Sequence, residues 1–189
     1  MRCFASQYDF AYSWDEVSTN NWRKYCPWND QSQHVIAVDT LSRVLDPTTK
    51  ILRTERIITC QQSAPRWLRG FLGAQDTSFV YEISHVDPVT RRVTMHSQNL
   101  TWSDLLSVRE TVVYSPGREP DTTTFEQQAR VTVRCGGWAK VRNKMEDFTI
   151  QRFSQNAVRG REGFERVLAM SREAFAEQRE QARREPRAA

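Results

Sequence analysis

The sequence predicts an α+β fold in which a curved antiparallel sheet of about seven strands is closed by one long C-terminal helix. Strand-like segments follow one another with short turns, which is typical of antiparallel neighbours. One helical stretch without proline then runs from Gly137 to about Arg184. Strands and helix segregated in this way form two layers. A twisted sheet of this size curls, so a helix laid across its open face makes a cup.

The first two predicted elements are a strand and a short helix. Residues 2–9 alternate weakly between apolar and polar side chains, as a strand does. Ser13 and Glu16 form a capping-box pattern, with Ser13 as the N-cap. We expect this helix to run to about Tyr25, to end before Pro27 and to lead into a loop at 26–34.

The remaining strands begin with a hairpin. Residues 35–45 and 51–61 are β-rich and flank the turn DPTTK. On the second of these strands Arg56 shares a face with Thr54, Ile58 and Cys60, so it is the one charged group on a mostly apolar face. Further strands are predicted at 77–87, 92–102, 105–116 and 124–135.

Between the hairpin and the next strand lies a short apolar segment, residues 63–75. Its composition predicts one or two helical turns with glycine hinges. Two interpretations stay open: a connector helix tucked under the sheet, or a mobile lid that covers a cavity or touches a membrane. The residues that define the lid are Pro65, Trp67, Leu68, Gly70, Phe71, Leu72 and Gly73.

The long helix carries polar residues where a core-facing helix should not. At about 100° per residue, Arg152, Asn156 and, nearer the edge, Arg159 fall on the same half as apolar Met145 and Phe164. A buried cation without a partner is costly. The row is therefore either solvated at the edge of the core or faces a cavity that holds an anion.

Composition and motifs narrow the function. The chain has 189 residues, enough for one domain with a sizeable core, and its net charge of +4 does not require a nucleic-acid partner. The histidines lie outside any metal-binding spacing, and GxSxG, P-loop and dinucleotide motifs are missing. We expect no enzyme, cofactor or metal. Lone carboxylates such as Glu82 are expected to pair locally, and the four cysteines to be free thiols.

A cationic row over an apolar sheet suits an amphiphile with an anionic head and apolar tails. The alternative is that Arg152 and Arg159 reach water from a filled core. The first residues show neither a secretory apolar core nor an Arg- and Ser-rich presequence, so any targeting is expected to use another route.

Several blocks of the sequence resemble a known family. The most specific is KMEDFTIQRF followed by N-A-x-x-G-x-x-G, within residues 144–168. The others are YDFAYSWDEV (8–17), HVIAVDTLSR (34–43), LRTERIITCQQSAPRW (52–67) and NLTWSDLLSVRETVVYSP (99–116). Over about residues 1–175 the chain resembles the PRELI-like family, slowmo-type branch, which leaves 176–189 as a charged helical end and tail.

The resemblance implies a function and a setting. Members of this family are intramitochondrial phospholipid transfer proteins with a START-like cup and a short lid. They work in the intermembrane space, carry single anionic phospholipids between the outer and inner membranes, and contact anionic membranes transiently. They act in a complex with a small helical twin-CX9C protein.

The resemblance also implies headgroup-binding residues. They match Lys24, Arg56, Arg152, Asn156 and Arg159, while the lid matches 64–73. Phosphatidic-acid carriers of the family have a lysine where this chain has Cys60, so phosphatidylserine is the expected cargo. A phosphatidic acid carrier is the alternative within the family, and a non-transferring interaction or scaffold protein is the alternative of another class.

Overall fold

A computed structural model describes residues 1–61, 76–134 and 139–184. In that part of the chain the predicted fold class is confirmed: seven strands form one antiparallel sheet, and one long helix packs against it. The strands are β1 (Arg2–Phe10), β2 (Val35–Leu45), β3 (Leu52–Gln61), β4 (Thr77–Asp87), β5 (Arg92–Asn99), β6 (Leu106–Pro116) and β7 (Thr123–Val133). The helices are α1 (Trp14–Asn20) and α2 (Ala139–Arg184).

The sheet is a meander whose first strand is placed beside the last one. The strand order is β1-β7-β6-β5-β4-β3-β2, so β1 and β2 are the two edges. In the register between β1 and β7, Phe4 lies opposite Ala129 and Tyr8 opposite Phe125. Strand β2 has irregular pairing near Val35 and near Thr40, and such bulges increase the local twist of an edge strand.

Helix α1 begins as predicted and ends earlier than predicted. The Ser13 hydroxyl accepts from the Glu16 N–H, and the Glu16 carboxylate accepts from the Ser13 N–H at 3.0 Å. The α-helix ends at Asn20 and tightens into a 3₁₀ turn over Asn21–Arg23. The Asn20 side chain donates to the Glu16 carbonyl at 2.9 Å, the kind of local bond through which asparagine competes with regular helix.

The core fills one end of the cup. Phe10 and Phe164 pack edge to face, with ring centroids 5.6 Å apart. The buried side chains around them come from α1, the inner face of the sheet and the second half of α2: Trp14, Val17, Val93, Met95, Val112, Tyr114, Phe125, Val167 and Leu168. A smaller cluster around Val133 and Met145 packs near the start of α2. Residues 153–161 of α2 lie between these two packed regions.

Polar contacts hold α2 across the cup. Tyr8 donates to the Glu165 carboxylate at 2.5 Å, and Arg172 pairs with Glu16 at 2.8 Å. At Gly163 an added Cβ would lie 2.7 Å from the Asn29 side-chain oxygen, so the absence of a side chain allows α2 to approach this loop closely. The close approach fixes the height of α2 above the segment that leads into β2.

Three further points concern the predicted boundaries. Helix α2 continues through 176–184 without a break, and the division of the chain at residue 175 stays a prediction. The predicted lid residues, from Pro65 to Gly73, lie outside the described residues. Neither described helix combines the length and apolar character needed to cross a bilayer.

Candidate functional site

A cavity of about 180 Å³ lies between the inner face of the sheet, the segment after α1 and the middle of α2. Its apolar wall is formed by Phe10, Met95, Val112, Tyr114, Phe125, Phe153 and Phe164. Its polar lining includes Lys24, Tyr25, His34, Glu82, Ser97, Glu110, Gln127, Asn156 and Arg161. An apolar wall with a few convergent polar groups is typical of a small-molecule site.

Two of the five sequence-predicted headgroup residues, Lys24 and Asn156, line this cavity. The Lys24 ammonium lies 5.5 Å from the centroid of the Tyr25 ring. Within the described part of the chain it forms no ion pair with a carboxylate. Lys24 is therefore a cation whose partner position is open toward the cavity.

Arg56 lies beneath the cavity in a buried ion pair. Its guanidinium donates through Nε to Glu82 Oε1 at 3.0 Å and through a second nitrogen to the same oxygen. Both residues are buried, with 4% and 5% of their surface exposed. The Trp22 ring also covers the Arg56 guanidinium, at 5.1 Å. Glu82, which lines the cavity, is thus paired locally, as the sequence led us to expect.

Arg152 and Arg159 flank Asn156 without lining the cavity. Arg152 is half-buried, and its guanidinium lies 5.3 Å from the Phe148 ring centroid. Arg159 is exposed. A helix rises about 1.5 Å per residue, so these two cations are roughly 10 Å apart along the axis, on either side of Asn156. They therefore stand at the margin of the site.

The sequence prediction missed several cavity residues. Arg161 lines the cavity with its guanidinium 4.4 Å from the Tyr8 ring centroid. Glu110 lines it from β6 and is bonded to Ser97 at 2.9 Å and to Gln127. The sequence did contain a signal for Glu110. It is spaced two residues apart from Val108 and Val112, so it shares their inward face of the strand. For Arg161 the helical phase alone gave no signal.

Local environment keeps three cavity-region groups neutral. Burial raises the pKa of the Tyr25 phenol far above its ordinary value, and the Glu82 carboxylate raises that pKa further. Burial also raises the pKa of the Cys60 thiol to about 11. The pKa of His34 is lowered, first by burial and then by the charges of Arg159 and Lys24. The lysine, arginine and glutamate side chains that line the cavity are Lys24, Arg161, Glu82 and Glu110.

The side chains that could ligate a metal ion are dispersed in the part of the chain that the structure describes. Across 1–61, 76–134 and 139–184, His, Cys, Asp and Glu side chains form no group of three or more that would hold a metal ion. Cys3, Cys26 and Cys60 are free thiols, as expected, and Cys135 lies outside the described residues. The site is thus built from cations, carboxylates, amides and aromatic rings.

Comparison with known proteins agrees with this architecture. The chain is 46% identical over 170 residues to "Protein UPS2, mitochondrial" of Saccharomyces cerevisiae, covering 89% of this chain and 73% of that protein. It is 33% identical over 165 residues to "Protein slowmo homolog" of Dictyostelium discoideum, covering 86% of this chain and 69% of that protein.

Among solved structures, the ZhuI aromatase/cyclase of Streptomyces sp. R1128 superposes with a TM-score of 0.59 at 9% identity, covering 89% of this chain and 93% of that one. At such low identity this likeness concerns the fold alone, the START-like cup. The model of the PRELI-like family matches residues 15–174. On the basis of this match and of the two relatives, the chain belongs to the PRELI-like family, and to its slowmo-type branch.

Proposed function

We propose that this protein is a non-enzymatic carrier that moves single anionic phospholipids, with phosphatidylserine as its main cargo, between the outer and inner mitochondrial membranes. The observation that carries the proposal is the cavity, which combines an apolar wall with Lys24, Asn156 and Arg161. Membership of the PRELI-like family and the mitochondrial relative of Saccharomyces cerevisiae support it.

In the proposed complex, the lipid phosphate lies near Lys24 and Asn156, the two predicted headgroup residues that line the cavity. We propose that Arg56, which is buried beneath the cavity and paired with Glu82, also contributes its positive charge to the headgroup site. Arg152 and Arg159 turn toward the headgroup from either side of Asn156. Charge-assisted hydrogen bonds of this kind are stronger than neutral ones.

The size of the cavity implies that it must widen to take a lipid. Its volume of about 180 Å³ is below the range of roughly 300–1,000 Å³ that is typical of sites for drug-sized ligands. We propose that the segment 64–73, with Trp67 and Phe71, acts as a lid and meets the membrane when the lipid enters. Anionic lipid attracts the basic residues of the protein to the surface.

The proposal includes a location and a partner. We place the protein in the intermembrane space, in a complex with a small helical twin-CX9C protein, on the strength of the family resemblance. The neutral Cys60 thiol, in the position where phosphatidic-acid carriers have a lysine, supports phosphatidylserine over phosphatidic acid, because it removes one headgroup cation.

The test is transfer of labelled lipid between donor and acceptor liposomes, with the full chain and its twin-CX9C partner. Phosphatidylserine is expected to move well above background. If neither phosphatidylserine nor phosphatidic acid moves, the carrier function is wrong. If phosphatidic acid alone moves, the function holds with the alternative cargo.

Charge reversal tests the headgroup site. Arg152→Glu is expected to abolish transfer and to leave the fold and partner binding intact, because it replaces a cation near the headgroup with an anion. Lys140→Glu makes the same change at an exposed position at the start of α2 and should leave transfer unchanged. Equal transfer by both variants would refute the assignment of Arg152.

The alternative of another class, a non-transferring scaffold, is tested by native mass spectrometry. A phospholipid that co-purifies with the protein at one-to-one stoichiometry contradicts a scaffold with a filled cup. Trp67→Ala addresses the lid: slower extraction from the membrane is expected, and an unchanged rate would leave the segment as a connector.

A further inference from the structure

Glu110 is a cavity carboxylate without a cationic partner. It projects from the inward face of β6, lines the cavity and is half-buried. Its neighbours are neutral: Ser97 donates to Oε2 at 2.9 Å, and the Gln127 amide donates to Oε1. In the described residues no lysine or arginine lies within ion-pair distance of it, whereas the neighbouring Glu82 is neutralised by Arg56. A carboxylate in the binding cavity of an anion carrier therefore needs an explanation.

Gln127 supplies an independent observation. Only 8% of this residue is exposed, and it lines the same cavity from the inward face of β7. Its Nε2 faces the Glu110 carboxylate, and the reverse orientation would place two acceptors against each other. The amide oxygen is thereby fixed as a second acceptor, and in the described part of the chain that buried oxygen has no donor. Buried acceptors of this kind are rare because they cost free energy.

The two acceptors define the chemistry of the missing partner. It must offer several N–H donors, accept nothing and carry positive charge, which describes a primary ammonium group. A phosphate or carboxylate would be repelled by Glu110. A hydroxyl group offers a single proton and leaves the charge uncompensated.

The charges around the cavity fit the same partner. The lining carries two cations, Lys24 and Arg161, and the carboxylate of Glu110, while Arg56 beneath the cavity neutralises Glu82. Charges of both signs suit a headgroup that contains an ammonium as well as anionic groups. Lys24 and Asn156 are available to the anionic part, and Glu110 with Gln127 to the cationic part.

We propose that Glu110, oriented by Ser97 and supported by Gln127, is the acceptor for the ammonium group of an aminophospholipid headgroup and selects such lipids against those that lack the group. This inference rests on the proposed carrier function. It makes Glu110 a residue that determines specificity.

The first experiment changes the ligand and keeps the native protein. Liposomes contain phosphatidylserine, phosphatidylethanolamine, phosphatidic acid or N-acetylated phosphatidylserine, which retains the phosphate and carboxylate but has no ammonium. Loss of a charge-assisted hydrogen bond predicts that N-acetylation lowers extraction by about tenfold or more. Comparison with phosphatidylethanolamine shows whether the ammonium suffices or the serine carboxylate is needed too.

The second experiment changes the protein. Glu110→Gln should lower the preference for phosphatidylserine over phosphatidic acid by about tenfold or more. Glu126→Gln is the matched control, because it makes the same change at an exposed position on the outward face of β7. Circular dichroism monitors the fold of both variants. If Glu110→Gln does not fold, the N-acetylated lipid decides the question.

The outcomes separate the two proposals. If the native protein moves neither phosphatidylserine nor phosphatidic acid, the carrier function itself fails. If it moves phosphatidylserine and N-acetylated phosphatidylserine equally, the carrier function stands and the ammonium site is refuted. The ammonium site is also refuted if a folded Glu110→Gln variant keeps the native preference.

Discussion

The buried Arg56–Glu82 pair should respond very differently to single and double substitution. Its two side chains are 5% and 6% exposed, so Glu82→Leu leaves a buried guanidinium without its counter-charge. Breaking such a pair costs about 3–5 kcal/mol. For a domain of this size each kcal/mol shifts the Tm by roughly 2–4 °C, so the expected fall is about 6–20 °C. The Trp22 ring over Arg56 should keep the loss toward the lower end.

The double variant Arg56→Met/Glu82→Leu should recover most of this loss, because it removes both charges and leaves apolar groups of similar volume. Arg166→Met is the control: it breaks an ion pair with Asp30 whose side chains are 60% and 55% exposed, which should cost less than about 1 kcal/mol. The assay is thermal unfolding followed by circular dichroism. If Glu82→Leu loses no more than the control, or if the double variant stays as unstable as Glu82→Leu, the reasoning is refuted.

Three further predictions concern α2 and the titrating groups. Gly160→Ala should raise the Tm by a few degrees, because helical glycine costs about 0.5–1 kcal/mol relative to alanine and the added Cβ meets nothing within 4 Å. Gly163→Ala should lower the Tm, because its Cβ would lie 2.7 Å from the Asn29 side-chain oxygen. Equal gains in thermal unfolding would contradict the close approach of α2 to the loop. Burial lowers the pKa of His34 below 6.5, so the free energy of unfolding should fall as the pH drops below 6.5. His34→Gln should flatten this pH dependence in urea titrations. An NMR titration in which the pKa of His34 is not lowered would contradict this prediction. The hydrogen bond from Arg172 lowers the pKa of Glu16 from 4.5 to about 2. Above pH 4.5 the native protein should therefore be more stable than Glu16→Gln, and this difference should shrink as the pH approaches 2. A difference that stays constant with pH would show that the pairing of Glu16 with Arg172 does not contribute to stability.

The sequence was informative wherever the physical cause is local. Each strand has one inward face, so the alternation of side chains located the strands and isolated Arg56 on an apolar face. The capping box of α1 depends on Ser13 and Glu16 alone, and it was predicted in full. Just after the early end of α1, buried Asn21 also makes a distant contact, since its amide donates to the sulfur of Met95 at 3.5 Å across the core. That contact is not visible in the local pattern.

The candidate site was predicted less completely because its shape depends on distant pairings. Glu82 becomes the partner of Arg56 only through the register of β3 and β4. Arg152, Asn156 and Arg159 share a helical face, but only Asn156 of the three lines the cavity. The reason is the position of the packed clusters on either side, which the helical pattern does not show. For the same reason the cavity position of Arg161 could not be derived from helical periodicity.

The pairing of β1 with β7 has a consequence for how the chain is made. A ribosome synthesises β1 before β7, yet the partner of Phe10 is Thr123, more than a hundred residues later. At about 5–20 residues per second, β1 waits roughly 6–25 seconds before its partner strand emerges. During that interval the inner row of Phe4, Tyr8 and Phe10 has no sheet to join, and α2, which covers it in the finished cup, has yet to be synthesised. The apolar face of β1 therefore stays uncovered until β7 and α2 have been synthesised.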